Sequence, residues 1–313
     1  MFRIFIFFCF VHLANVINAQ KISIEIQADA AHFVENKDSV LTYQIAEKSL
    51  NGTYRRSNYI HPLYSLDGQI LTEDFPKDHL HHRGIFWAWH QMYIGDTQLG
   101  DAWDIKDFSW DVKSVKEVQV EGKAKAIQAE VFWKTSQWKD DQGNEKPVVR
   151  EVTTIKVYPV ENQYRKIDVE IAIRALEPNM RIGGSENEKG YGGFSTRVRL
   201  VNDIEFTSSS GETRPQNLPV EAGNWMDISG SFGKGGALSG MSILCHPDNP
   251  GFSDRWILRS EKSMQNAVYP YPGAIAVPIS ETQPTVLRYR LIIHEGGSEF
   301  LDIESEHAEY GKQ

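Results

Sequence analysis

The chain has 313 residues, a formal net charge of −9, 41% hydrophobic and 24% charged residues, ordinary proportions for a soluble globular protein. The acidic balance and the lack of a basic tract exclude a general nucleic-acid role. Beyond the N-terminal segment no apolar run is long enough to form a membrane-spanning helix.

The first element is that segment, "MFRIFIFFCFVHLANVINAQ". Arg3 precedes an apolar run from Ile4 to Leu13, and Ala19 offers a small residue at a cleavage point. This predicts a signal peptide over residues 1–19 and export to the periplasm or the medium. The remainder, residues 20–313, is expected to form a single domain. Cys9 would leave with the peptide, so the mature chain keeps Cys245 alone. One thiol permits neither an intramolecular disulfide nor a multi-cysteine zinc site.

Period-two patterns follow along the chain. "KISIEIQ" alternates Ile22, Ile24 and Ile26 with polar neighbours, and "KIDVEIAIRAL" does so with Ile167, Val169, Ile171 and Ile173. "AIQAEVFWKT", "EVTTIKVYPV", "FSTRVRLV", "LSGMSILCH" and "TVLRYRLIIHE" are equally rich in β-branched and aromatic residues. Turn chemistry separates them at Asp67–Gln69, Asp140–Pro147 and Gly183–Gly193. The sequon Asn51-Gly52-Thr53 suits a surface turn. Only the tail, "SEFLDIESEHAEYG", reads as a helix. The expected architecture is all-β, a large two-sheet antiparallel sandwich.

Chemistry concentrates in "DHLHHRG", Asp78–Gly84, and in "IFWAWH" directly after it. His79, His81, His82 and His90 fall within twelve residues, close to Trp87, Trp89 and Trp103. Imidazole, guanidinium and indole together suit a saccharide pocket, with ring faces for sugar and polar groups for hydroxyls. In an extended segment His79, His81 and Arg83 share one face and His82 takes the other. Arg83 then becomes a bidentate clamp for a carboxylate. A divalent ion held by His79 and His81, with Asp101 or Asp104 as third ligand, is the lesser reading, since no defined ligand spacing is present. Two further regions join the candidates. "EKGYGGFSTRV" carries Tyr191 in a Gly-rich loop and Arg197 on a strand. "CHPDNP" carries His246 and Asn249, with Trp256 and Arg259 soon after.

"DHLHHRGIFWAWH", "GDAWD", "KGYGGFSTRV", "NWMDISG" and "GMSILCHPDNP" occur in an order that resembles the PmoA-like family (DUF6807), an exported family of unknown function. The resemblance implies a galactose-mutarotase-like sandwich and a carbohydrate-utilisation role. That fold family also hosts sugar epimerisation and polysaccharide β-elimination.

The expected function is therefore a lyase or dehydratase acting by β-elimination on uronic-acid-containing oligosaccharides of algal-type acidic polysaccharides. Such chemistry needs a cation for the carboxylate, a base for the proton beside it, and an acid for the leaving oxygen. Arg83, with Arg197 or Arg259, is expected to supply the first. His81 or His79 is the base, and His246 or Tyr191 the acid. His82, Trp87, Trp89, His90, Trp103, Asn249 and Trp256 complete the substrate-binding set, and no cofactor is required. A glycoside hydrolase using a pair among Asp101, Asp104, Glu188 and Asp227 is the alternative, along with a mutarotase and a non-catalytic sugar-binding module.

Overall fold

The structure is a computed structural model describing residues 21–251 and 255–313. The expected signal peptide lies outside the described residues.

Two nine-stranded antiparallel sheets dominate the described residues. Across the first sheet the strands run Ile22–Ile26, Ala30–Glu35, Asp38–Gln44, Tyr59–Leu63, Ile85–Ala88, Gly193–Thr196, Gln265–Val268, Arg255–Ile257 and Val220–Glu221. The second sheet orders Ser109–Val118, Lys125–Lys134, Val149–Val157, Tyr164–Ala175, Thr285–Glu295, Ser239–Cys245, Trp225–Gly230, Glu205–Ser208 and Gly211–Glu212. A smaller sheet joins Val277–Pro278, Met180–Gly183, Gln91–Ile94 and Thr97–Gln98. The all-β, two-sheet expectation holds. No helix among the described residues is long and apolar enough to cross a membrane.

The alternation that marks these strands in the sequence is what buries them. In Val149–Val157 and Tyr164–Ala175 every second residue is buried and its neighbours are partly exposed. The inward set, including Ile155, Ile167, Val169 and Ile171, joins residues of the first sheet such as Phe33, Tyr59 and Trp87 in one core. Each such aliphatic side chain contributes about 1.5–3 kcal/mol on burial.

One inward residue of the second sheet is a carboxylate. Glu151 accepts from Trp87 Nε1 at 2.9 Å, Trp133 Nε1 at 2.7 Å, Thr153 Oγ1 at 2.5 Å and Asn58 Nδ2 at 2.9 Å. Burial raises its pKa, and the four donors oppose that rise. Because Trp87 and Asn58 come from the first-sheet side, this carboxylate ties the two layers together.

The tail forms the expected helix over Ile303–Tyr310, capped by Asp302, whose side chain accepts from the Ser305 amide. Ile303 and Tyr310 pack on Trp225, Leu244 and Ile292, the outward residues of the second sheet. The helix thus covers that sheet's outer face. The sequon Asn51 lies in the exposed turn between Lys48–Leu50 and Thr53–Arg56.

Candidate functional site

The segment Asp78–Gly84 is not extended. The His79 amide bonds back to the Pro76 carbonyl at 3.1 Å and the His82 amide to the His79 carbonyl at 2.9 Å, so the chain turns twice. Gly84 then redirects it into the strand Ile85–Ala88. Its φ is +52°, and a Cβ there would lie 2.1 Å from the Ile60 carbonyl oxygen, so only glycine fits.

The turns bring all three imidazoles together instead of splitting them between faces. His79 and His82 stack with ring centroids 4.7 Å apart, and His81 stands edge-on to His82 at 4.5 Å. The cluster lies over the outer face of the first sheet. Trp87 points inward to Glu151, so its neighbour Phe86 points outward, where its ring meets His82 and Trp103.

Beside the cluster is a cleft of about 280 Å³, whose lining includes the three histidines, Trp103, Asp104, Lys189, Tyr191, Ile257, Arg259 and Lys262. A roomier depression of about 440 Å³ exists beside Glu35 and Arg165. It holds no histidine or tyrosine, and its arginine is paired with Glu35 at 2.8 Å.

Ion pairs hold the histidine turn in place. Arg197 grips Asp78 with two nitrogens, at 2.6 and 2.9 Å, and also bonds Glu73 at 2.8 Å. Asp78 in turn sits 2.8 Å from His79 Nδ1 and accepts from the Ser263 amide at 2.8 Å. Burial alone would raise the Asp78 pKa, but the bonds from Arg197, His79 and Ser263 together hold it well below the usual carboxylate range. The ionised carboxylate makes His79 Nδ1 a donor, so any lone pair the ring offers is on Nε2.

Burial lowers the His81 pKa to about 4; Asp104, 3.9 Å away, counters this in part, and His79 and His90 add to it. Burial lowers His82 as well, reinforced by His81 and His79. Both rings are neutral at neutral pH. Burial and the Asp104 carboxylate raise the Tyr191 phenol, which keeps its proton.

Several expected site residues do different work. Arg83 is fully buried, and all five of its N–H donors are spent, on Asp74, the Tyr59 hydroxyl and the carbonyls of Lys48 and Tyr54. It cannot clamp a ligand. Arg197 is likewise consumed by Asp78 and Glu73. Trp87, Trp89 and Trp256 are fully buried with indole N–H groups bonded to Glu151, the Tyr269 carbonyl and the Gly223 carbonyl. They form core, not sugar platforms. Trp103 is only 1% exposed and forms the floor under His90, His82 and Tyr191.

His246 and Asn249 lie elsewhere. Leu244 points outward on the second sheet, Cys245 inward, and His246 outward again, edge-on to Tyr310 of the C-terminal helix. That places His246 on the opposite side of the sandwich from the histidine cleft, so it is not the acid there. Asn249 bonds both the amide and the carbonyl of Arg288, the behaviour of a turn residue.

The structure therefore brings together His79, His81, His82, His90, Trp103, Tyr191 and Arg259. Asp78 and Lys262 escaped sequence reasoning. Asp78 opens the histidine motif and could have been read as its orienting acid. Lys262 lies 183 positions from His79, with no local signal.

No curated protein matches the chain. Among solved structures it is similar to two GH36 α-galactosidases of Geobacillus stearothermophilus. A variant of AgaA in complex with raffinose has 9% identity and a TM-score of 0.34, with 90% of this chain and 41% of that chain covered. AgaB has 8% identity and a TM-score of 0.34, with 89% of this chain and 42% of that chain covered. The chain thus spans about two fifths of the length of either. A family model described as a family of unknown function (DUF6807) matches residues 31–308, and the chain belongs to that family.

Proposed function

We propose that the histidine cleft is the active site of a carbohydrate-active lyase or dehydratase that performs β-elimination on uronic-acid-containing oligosaccharides outside the cytoplasm. One observation carries this reading. Imidazoles, a phenol and three cationic side chains, Lys189, Arg259 and Lys262, line the same cleft in a chain of net charge −9. A local basic rim on an acidic protein suits an anionic ligand.

The roles follow from placement. Arg259, whose Nε and one Nη2 proton stay uncommitted after bonds to the Gln216, Leu258 and Asn217 carbonyls, and Lys262 take the C6 carboxylate, replacing Arg83 and Arg197 as the anion-binding pair. Neutralising that carboxylate acidifies the C5 proton. His81 or His79 accepts this proton through its free nitrogen. The electron pair of the C5–H bond forms the C4–C5 double bond as the C4–O bond breaks. Tyr191 gives its proton to the departing oxygen. The product is a 4,5-unsaturated uronate and an alcohol, or water for a dehydratase.

The hydrolase alternative needs two free carboxylates across the bond. Of its candidates Asp104 lines the cleft, but Asp101 is tied to His90 and to the amides of Trp103 and Asp104, Glu188 is exposed outside the cleft lining, and Asp227 is fully buried in the second sheet. The test is to incubate the mature protein with uronate-bearing oligosaccharides and follow absorbance of the conjugated double bond. Reducing-end release without that absorbance would favour hydrolysis, and binding without turnover a sugar-binding module.

A further inference from the structure

Beside the cleft, the loop from Gly100 to Phe108 curls back on itself. Asp101 and Lys106 exchange two backbone bonds, at 2.8 and 2.9 Å. Asp101 Oδ1 accepts from the amides of Trp103 at 2.9 Å and Asp104 at 2.8 Å. Gly100 sits at φ +52°, where a Cβ would meet the Asp107 carbonyl oxygen at 2.3 Å. This closure brings Asp104 round to the side of His90.

One ligand-type atom from each of His90, Asp101 and Asp104 lies within 4.8 Å of the other two. Asp101 Oδ2 is 2.9 Å from His90 Nδ1. The plain alternative is a turn-closing aspartate, an Asp–His hydrogen bond and a surface ion pair from Lys106 to Asp104 at 2.6 Å. Two features exceed that alternative. His90 Nδ1 is the nitrogen that faces Asp101, and no partner on the buried Nε2 among the described residues fixes the ring's tautomer, so Nδ1 can present its lone pair to an ion. Two carboxylates are also held close together; besides the imidazoles of His90 and His81 and two backbone amides, the side chain that meets them among the described residues is Lys106, which is 73% exposed. An exposed lysine is readily displaced.

We propose that His90, Asp101 and Asp104 form a binding site for a divalent transition-metal ion of the zinc or manganese class. One imidazole and two carboxylates without thiolate suit those ions, whereas calcium prefers an all-oxygen shell. Ligand atoms around an ion with bonds of about 2.1 Å sit roughly 3.4 Å apart, so side-chain shifts of about an ångström close the site. Three protein ligands leave coordination positions open, the pattern of a working rather than a purely structural ion. Asp104 faces His81 at 3.9 Å, so the ion would lie next to the proton-accepting imidazole. Its task there, holding the uronate carboxylate with Arg259 and Lys262, rests on the lyase reading; the binding site does not.

The experiment is calorimetric titration of EDTA-stripped, dialysed protein with ZnCl2, MnCl2 and CaCl2, without any saccharide. The parent should bind zinc or manganese saturably, one ion per chain. Asp104→Asn and His90→Gln, checked for native circular dichroism, should weaken binding at least about 10-fold, while His79→Gln should not. Absence of a saturable zinc or manganese site, a site lost in His79→Gln but kept in Asp104→Asn and His90→Gln, or binding of calcium alone would overturn the proposal. Metal binding without elimination activity would sink the lyase reading and leave the site standing.

Discussion

Asp78 binds the Arg197 guanidinium with both carboxylate oxygens, at 2.6 and 2.9 Å, while one of them lies 2.8 Å from His79 Nδ1. A buried cation is thereby coupled to the ring that opens the candidate site. Arg197 is 3% exposed, so its removal leaves Asp78 and Glu73 without their partner. Arg197→Ala should cost about 3–5 kcal/mol, the usual price of breaking a buried ion pair. Arg197→Lys should recover only part of this, because an ammonium cannot bridge two carboxylate oxygens in a planar fork. Denaturant midpoints check both.

Asp227 and His294 make a second buried pair, 2.9 Å apart, on strands of the second sheet separated by Ser239–Cys245, and Ser242 of that middle strand bonds the same oxygen at 2.6 Å. Burial opposes ionisation of Asp227, yet the bonds from His294, Ser229 and Ser242 outweigh it and lower its pKa. Its stabilising contribution is therefore complete above the unfolded carboxylate value of about 3.9. It fades as the pH falls below that value, because the unfolded chain takes up a proton that the folded chain refuses. Asp227→Asn should lose about 3–5 kcal/mol at neutral pH. Its stability should also fall less steeply than the parent's on acidification from pH 5, measured by denaturant titration at each pH.

Trp87 and Tyr191 separate core from cleft. Trp87→Ala should destabilise by about 3–5 kcal/mol and leave ligand affinity unchanged in the folded fraction. Tyr191→Phe keeps the ring and loses only the hydroxyl, so its thermal midpoint should stay near the parent's. If the phenol gives its proton to the leaving oxygen, kcat should fall roughly 10²–10⁴-fold with KM little altered. Arg259→Ala should raise KM and lower kcat together, since the carboxylate it meets is present in the substrate and gains charge as the C5 proton leaves. Steady-state kinetics on one uronate oligosaccharide distinguishes the two.

The strands of the second sheet were legible because their two faces differ. Val149–Val157 and Tyr164–Ala175 bury every second residue, and that period is written in the residues themselves. The tail helix was legible for a similar local reason, an aspartate cap ahead of it. The histidine segment was misread as extended, although Pro76 before it and Gly84 at its end are turn signals. Arg83 and Arg197 looked like anion clamps because their partners are invisible locally: Arg197 meets Glu73 and Asp78 from 124 and 119 positions away. The same limit hid the burial of Trp87, Trp89 and Trp256. Indole counts do not tell which rings end up inside a sandwich, whereas the imidazoles of "DHLHHRG" gather at one cleft.

If the imidazoles of this cleft remove the proton beside a uronate carboxylate, elimination is visible as ultraviolet absorbance of the conjugated double bond. That absorbance is followed during incubation of the purified protein with uronate-bearing oligosaccharides, with His81→Gln run in parallel. The parent should give a steady rise, and the folded variant a rate lower by roughly 10²–10⁴-fold. No rise with any uronate substrate, or an equal rise in parent and His81→Gln, would contradict proton removal by these imidazoles.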